Sequence, residues 1–144
     1  MAKIAVVYHS GYGHTEKQAQ AVARGAQKVA GAEVTLLNVE QAQEQWELLK
    51  EADAIIFGSP TYMGSASAQF KGFMDASSKA WYTRDWQDKI AAGFTTSASQ
   101  SGDKLNTLVQ LAIFAAQHGM IWVGQDLLPG NNNSAGSVND LNRL

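Results

Sequence analysis

The sequence predicts an α/β fold built on a five-stranded parallel sheet. Three observations predict it. Short apolar runs rich in β-branched and aromatic residues recur at Lys3–Tyr8, Glu33–Asn38, Ala54–Gly58, Ile90–Phe94 and Met120–Gly124. Stretches with apolar residues three and four apart lie between them, so strand and helix alternate, and that alternation makes a parallel sheet. Three of the strands end in loops of glycine and hydroxyl residues: Ser10–Thr15, Ser59–Gly64 and Thr95–Gly102. Ligands bind at the carboxyl edge of an open parallel sheet, so three such loops on one edge predict a ligand there.

The first strand stops at His9-Ser10-Gly11-Tyr12-Gly13-His14-Thr15, and a helix from about His14 to Ala30 follows. A helix start carries unpaired N–H groups and the positive end of a dipole, and so receives an anion, typically phosphate. Gly11 and Gly13 let the backbone curl round that anion, and Ser10 and Thr15 add hydroxyl donors. The loop is not a Walker A motif, because no Gly-Lys-Ser/Thr follows, nor the dinucleotide fingerprint, because only Gly11-x-Gly13 is present. A glycine-rich turn without a ligand is the plain alternative.

Ala19, Val22, Ala26 and Val29 share one face of this first helix, and Gly31 is its stop. After the second strand, a short helix around Gln43–Lys50 turns Trp46 and Leu49 inward. The third strand is apolar without a break, as a strand covered on both faces should be. The next helix, Ser67–Lys79, points Phe70, Phe73 and Met74 inward, with the small Ser77 next on that face. Trp81, Tyr82 and Trp86 then form either a stacking lid or ordinary surface packing. The last helix, Asp103–Gln117, reads with Leu105, Leu108, Val109, Ala112 and Ala116 inward, and His118-Gly119 ends it. Asp126–Leu144 is polar and irregular.

At 144 residues and 45% apolar content the chain is expected to form one domain with a real core. No apolar run approaches the roughly 18 residues of a membrane span. The N-terminus enters a strand directly, without a basic-then-apolar signal, so a cytoplasmic location is expected. The absence of cysteine excludes disulfides, thiol catalysis and thiolate metal sites. A net charge of −2 without a basic stripe gives a nucleic-acid role no support. His9 and His14 match no common metal-ligand spacing, and no metal is expected.

These motifs together resemble the flavodoxin-like family. The nearer resemblance is to its FMN-dependent NAD(P)H:quinone oxidoreductases, the branch named for tryptophan-repressor-binding protein. It is carried by Ser10-x-Tyr12-Gly13-His14-Thr15, Phe57-Gly58-x-Pro60-Thr61, Gly64, Gln69-x-Lys71-x-Phe73-x-Asp75, Trp81, the Thr96–Gly102 loop and His118-Gly119-Met120. The resemblance implies strand order 2-1-3-4-5, with FMN at the switch point between the first and third strands. It implies that Ser10, Gly11, Tyr12, Gly13, His14 and Thr15 cradle the FMN phosphate. Pro60, Thr61, Tyr62, Met63 and Gly64 would border the isoalloxazine edge, and Thr96, Ser97, Ala98, Ser99, Gln100 and Ser101 would wrap its other edge and the ribityl chain. His118 would sit near the flavin as the catalytic group, Tyr12 would meet NADH or NADPH, and Trp81 the quinone. Two alternatives stay open on the residues themselves: a histidine near a helix C-terminus is also favoured by the dipole, and Tyr62 can stack on a ring or anchor its loop.

The third loop departs from the family's glycine-rich run, so side chains crowd it. The chain also stops where the family continues into a fifth helix. In order 2-1-3-4-5 right-handed crossovers put the first helix alone on one face and leave the fourth and fifth strands bare there. The expectation is therefore a truncated domain at 1–144, or a homo-oligomer (dimer or tetramer) whose partner covers that face.

Overall fold

The computed structural model describes residues 1–99 and 102–126. The elements run β1 (Ala2–Tyr8), α1 (His14–Gln27), β2 (Ala32–Asn38), α2 (Val39–Gln43), α3 (Trp46–Glu51), β3 (Ala54–Tyr62), β4 (Ser65–Ala66), α4 (Ala68–Ala76), α5 (Ser78–Tyr82), β5 (Ile90–Thr96), α6 (Lys104–Gln117) and β6 (Ile121–Trp122). Five strands pair in parallel in the order β2-β1-β3-β5-β6, which is the expected 2-1-3-4-5 once the extra ribbon β4 is set aside. β4 was not expected. It pairs antiparallel with the end of β3, Thr61 opposite Ala66 and Tyr62 opposite Ser65, so β3 runs on to Tyr62 as one arm of a hairpin. Met63 and Gly64 turn that hairpin with φ of 49° and 77°.

The central strands earn their position by composition. Ala5, Val6 and Val7 of β1 are fully buried, as residues covered on both sides of a sheet must be. Alternation sends Ala5 and Val7 into a large core with α2–α6, and Val6 into a smaller one with Ala19 of α1 and Phe94 of β5. Helix α1 thus stands on one face and the other helices on the opposite one. On the α1 side of β6, Ile121 and Val123 are about half exposed. No described helix is long and apolar enough to cross a membrane.

Helix signals act where the sequence placed them, with some changes of boundary. Asn38 caps α2 through a capping box with Gln41, and Ser67 caps α4 by accepting the Phe70 N–H. The helix expected around Gln43–Lys50 is α3, with α2 an unexpected helix before it, and the one expected over Ser67–Lys79 breaks at Ser77 into α4 and α5. Helix α1 ends at Gln27, so Val29 lies outside it and is exposed.

Two packing expectations are overturned. The inward face of α6 is Thr107, Leu111, Phe114 and Ala115, while Leu105, Val109 and Ala116 point out. The helix is apolar nearly all round, so three-four spacing could not fix its phase; the bulk of Phe114 against the core does. Trp86 is neither lid nor surface packing. It is wholly buried, with ring centroids 6.2 Å from Trp46 and from Phe57, 6.3 Å from Phe73 and 6.0 Å from Phe114.

Candidate functional site

The three loops meet at the carboxyl edge of β1, β3 and β5. A cavity of about 500 Å³ there is lined by Ser10, Tyr12, His14, Thr15, Pro60, Thr61, Tyr62, Thr96, Ser97 and Ala98. Every one of these was a candidate in the sequence. Parallel pairing explains the convergence: Tyr8 lies opposite Gly58, and Pro60 opposite Thr96, so all three strands deliver their ends to one edge.

The wall below α1 is built to receive an anion. Gly13 takes φ of 86° and leaves open space where a side chain would be, and no side chain caps the first turn of α1. The Gly13 N–H donates to Ser10 Oγ at 3.0 Å, so the Ser10 proton remains to be donated outward. Thr15 Oγ1 and Thr96 Oγ1 lie 2.7 Å apart, and such a pair uses one of its two protons and offers the other. Among the described residues the lining contains no lysine or arginine.

The cavity lining is also aromatic and braced. Tyr12 and Tyr62 stand edge to face with centroids 6.2 Å apart, and Tyr62 Oη lies so close over Gly11 that a Cβ there would sit 2.4 Å from it. Behind them, Thr61 Oγ1 lies 2.7 Å from Thr95 Oγ1 and 2.8 Å from the buried Thr107 Oγ1, and Thr95 Oγ1 lies 3.5 Å from the Thr96 carbonyl. Only one direction gives each proton an acceptor: Thr107 donates to Thr61, Thr61 to Thr95, and Thr95 to that carbonyl. The Thr61 hydroxyl is therefore committed inward, and it ties β3, β5 and α6 together. The hairpin is latched to α6, where Asn106 Nδ2 donates to the Gly64 carbonyl at 2.7 Å and the Ala66 N–H donates to Gln110 Oε1 at 3.0 Å.

This cavity fits FMN. Its neutral donors and helix start suit a phosphate, its glycine cradle leaves room for one, and its tyrosines suit the face or edge of a flat ring. Met63, fully exposed at the hairpin tip, and the exposed Ser99 are not in the cavity lining; Gln100 and Ser101 lie outside the described residues. Thr107, Thr95, Asn106 and Gln110 were missed by sequence reasoning. Thr95 had a signal, as the other hydroxyl in a Thr-Thr pair; the α6 residues had none, because their partners are some 40 residues away.

His118 is not brought to these loops within the chain, contrary to expectation. Helix α6 starts at the loop edge and runs back, so about 20 Å of helix separates its ends. At the far end the Gly119 carbonyl accepts the Asp88 N–H, just before β5 begins. His118 instead lies in a second cleft of about 570 Å³ with Trp81, Lys71, Met74, Gln110 and Ile113. Trp81, 51% exposed, is on its rim, and so is likewise apart from the loops in one chain. Ser77 Oγ donates to the Met74 carbonyl at 2.7 Å, so it accepts from His118 Nε2 at 2.9 Å and the ring keeps its proton on Nε2. Nδ1 is buried and finds no partner among the described residues, and neither does Trp86 Nε1, whose ring is 4.2 Å from the imidazole.

Burial pushes the His118 pKa down from the ordinary histidine value to about 4, so the ring is neutral at pH 7 and does not shuttle protons there. The unfolded chain therefore binds the extra proton between about pH 6.5 and 4, and stability should be full above this window and fall as pH drops through it. Urea melts across the window should show that slope, and His118→Gln should reduce it. His9, whose pKa is also lowered by burial, keeps part of it. A slope unchanged in His118→Gln would rule out the buried neutral imidazole.

Comparisons with known proteins agree with this geometry. The protein family described as NADPH-dependent FMN reductase matches residues 2–133. The chain is 50% identical over 144 residues to flavodoxin FldP of Pseudomonas aeruginosa, covering 100% of this chain and 77% of that protein. It is 35% identical over 144 residues to an NAD(P)H dehydrogenase (quinone) of Aromatoleum aromaticum, covering 85% and 70% respectively. Among solved structures, a flavodoxin described as a WrbA-like protein from Agrobacterium tumefaciens superposes with a TM-score of 0.77 at 53% identity, over 85% of this chain and 77% of that one.

Proposed function

The chain belongs to the NADPH-dependent FMN reductase family and is an FMN oxidoreductase that uses NAD(P)H, and from that premise we propose that its second substrate is a quinone, reduced by two electrons. The observation that carries the reading is the cavity at the ends of β1, β3 and β5, whose lining combines an anion cradle with the Tyr12–Tyr62 pair. When bound, FMN would supply the redox chemistry, hydride acceptance from a nicotinamide and two-electron delivery to a quinone. The protein binds and orients. The first turn of α1, Ser10 and the Thr15–Thr96 pair hold the phosphate, and the Thr61 chain fixes the strands that carry the ring's surroundings. Tyr12, largely exposed beside Tyr62, is placed to meet an incoming flat ring such as nicotinamide or quinone.

A second reading has one observation in its favour, the 50% identity to a protein named flavodoxin: a one-electron carrier. Against it stands the charge. Carriers that dock basic partners are strongly acidic, whereas this chain has 13 acidic and 11 basic residues. Anaerobic stopped-flow mixing with NADH or NADPH separates the two. The enzyme reading expects the flavin absorbance to bleach with each nucleotide it uses, and parallel double-reciprocal lines when a small quinone is varied. If neither nucleotide bleaches the flavin, the carrier reading takes over the site.

A further inference from the structure

A buried polar node joins the end of β1 to the β3–β4 hairpin. His9 follows β1, and its N–H donates to the Gly58 carbonyl at 3.0 Å. Its ring is buried, with Nδ1 2.8 Å from Ser67 Oγ. Ser67 is the N-cap of α4, and its Oγ accepts the Phe70 N–H at 3.3 Å. The Ser67 N–H donates to Ser59 Oγ at 3.1 Å, so the two ends of the β3–β4 hairpin are bonded to each other. Both serines are buried.

Bond lengths favour one of the two proton arrangements open to the node. Ser59 O–H is committed to the Pro60 carbonyl at 2.9 Å. Ser67 has one proton and two neighbours for it, Ser59 Oγ at 3.4 Å and His9 Nδ1 at 2.8 Å. With the Ser67 proton on the shorter contact, Nδ1 accepts and the ring is the neutral Nε2–H form; the reverse arrangement, Nδ1–H to Ser67 and Ser67 to Ser59, leans on the longer 3.4 Å contact. We propose that His9 is a positioning residue for the cofactor, its neutral Nδ1 holding the cradle that begins at Ser10 in register with the hairpin that spans Ser59–Ser67. This rests on the assignment of FMN to the three loops.

A protonated His9 plays this part less well, because Ser67 must then turn its proton to the longer 3.4 Å contact with Ser59. Its Nδ1–H would replace the acceptor with a donor, and its charge would face the positive end of the nine-residue α4. The first turn of α4 carries no acidic side chain, Lys71 at its end pairs with Asp75 at 2.6 Å, and Glu40 of α2 is the one charged group whose field reaches the ring among the described residues. Burial outweighs that carboxylate and lowers the pKa of His9, so the neutral form prevails at neutral pH.

The test compares FMN dissociation constants, by flavin fluorescence quenching from about pH 5 to 8, for wild type, His9→Asn and His9→Leu. Asparagine places Oδ1 where Nδ1 lies and does not titrate; leucine leaves the Ser67 hydroxyl without its acceptor. The expected result at neutral pH is a loss of roughly tenfold for leucine and near-wild-type affinity for asparagine. As pH falls through the lowered pKa of His9, wild type should weaken relative to His9→Asn. The phosphate of FMN itself titrates near 6 and is common to both, so the difference between the profiles isolates His9. Superimposable wild-type and asparagine profiles would overturn the proposal, as would leucine binding FMN like wild type. If the leucine variant does not fold, the asparagine profile alone decides. Gly13→Val in the same assay keeps the site assignment separate: normal FMN binding by that variant would sink the assignment, whereas its failure to bind beside flat His9 results would sink only the role of His9.

Discussion

Trp86→Ala should destabilise the apoprotein by about 3–5 kcal/mol, the usual cost of emptying a large aromatic site in a packed core. That is a large part of the roughly 5–15 kcal/mol by which a domain of this kind is stable. Trp86 is fully buried where Trp46, Phe57, Phe73, Phe114 and His118 meet, so α3, α4, α6 and β3 all lose a neighbour at once. The surrounding rings are held by the sheet on one side and by helices on the other, and can collapse only partly into the void. Thermal melts followed by circular dichroism should show a fall of roughly 10 °C or more. Trp86→Phe should lose much less, because it keeps a ring in the cluster and removes an indole N–H that finds no partner among the described residues. Equal melting of wild type and Trp86→Ala would mean that the cluster is not the centre of the core.

Gly13→Val should cost the protein its FMN, with affinity falling at least tenfold. The reason is conformational. Gly13 has φ of 86°, where a β-branched residue does not go, and strain of this kind is worth about 1–3 kcal/mol. A valine loop would relieve it by turning the Gly13 peptide, which breaks the 3.0 Å bond to Ser10 Oγ and disturbs the Gly13 carbonyl that accepts the Lys17 N–H at 3.1 Å. Both anion donors and helix start would then be displaced. Space is not the obstacle, since none of the described residues lies within 4 Å of a Cβ at this position. Gly13→Ala, strained but less crowded in its backbone options, should fall between. Isothermal titration with FMN measures both, and unchanged affinity in the valine variant would remove the phosphate from this loop.

The sequence by itself determined the fold class, the parallel sheet and the edge on which the site lies. It could do so because those features rest on local contrasts: unbroken apolar strands beside amphipathic helices, and glycine–hydroxyl loops where strands end. Ten of the candidate residues line one cavity for that reason, and Phe70 and Phe73 are buried as their spacing indicates.

Tertiary structure alone decided the rest. The inward face of α6 was illegible because Leu105, Val109 and Ile113 make its outer face as apolar as its inner one. His118 was placed by the direction in which α6 returns along the sheet, and spacing does not carry direction. Trp86 and the exposed Trp81 are the same residue type a few positions apart, yet only the fold says which one the core closes over. The partners that brace the site, His9 with Ser67 and Thr61 with Thr107, are 58 and 46 residues apart. A hydroxyl or an imidazole looks alike in sequence whether it faces water or a buried acceptor, and only the packing of distant elements supplies the acceptor.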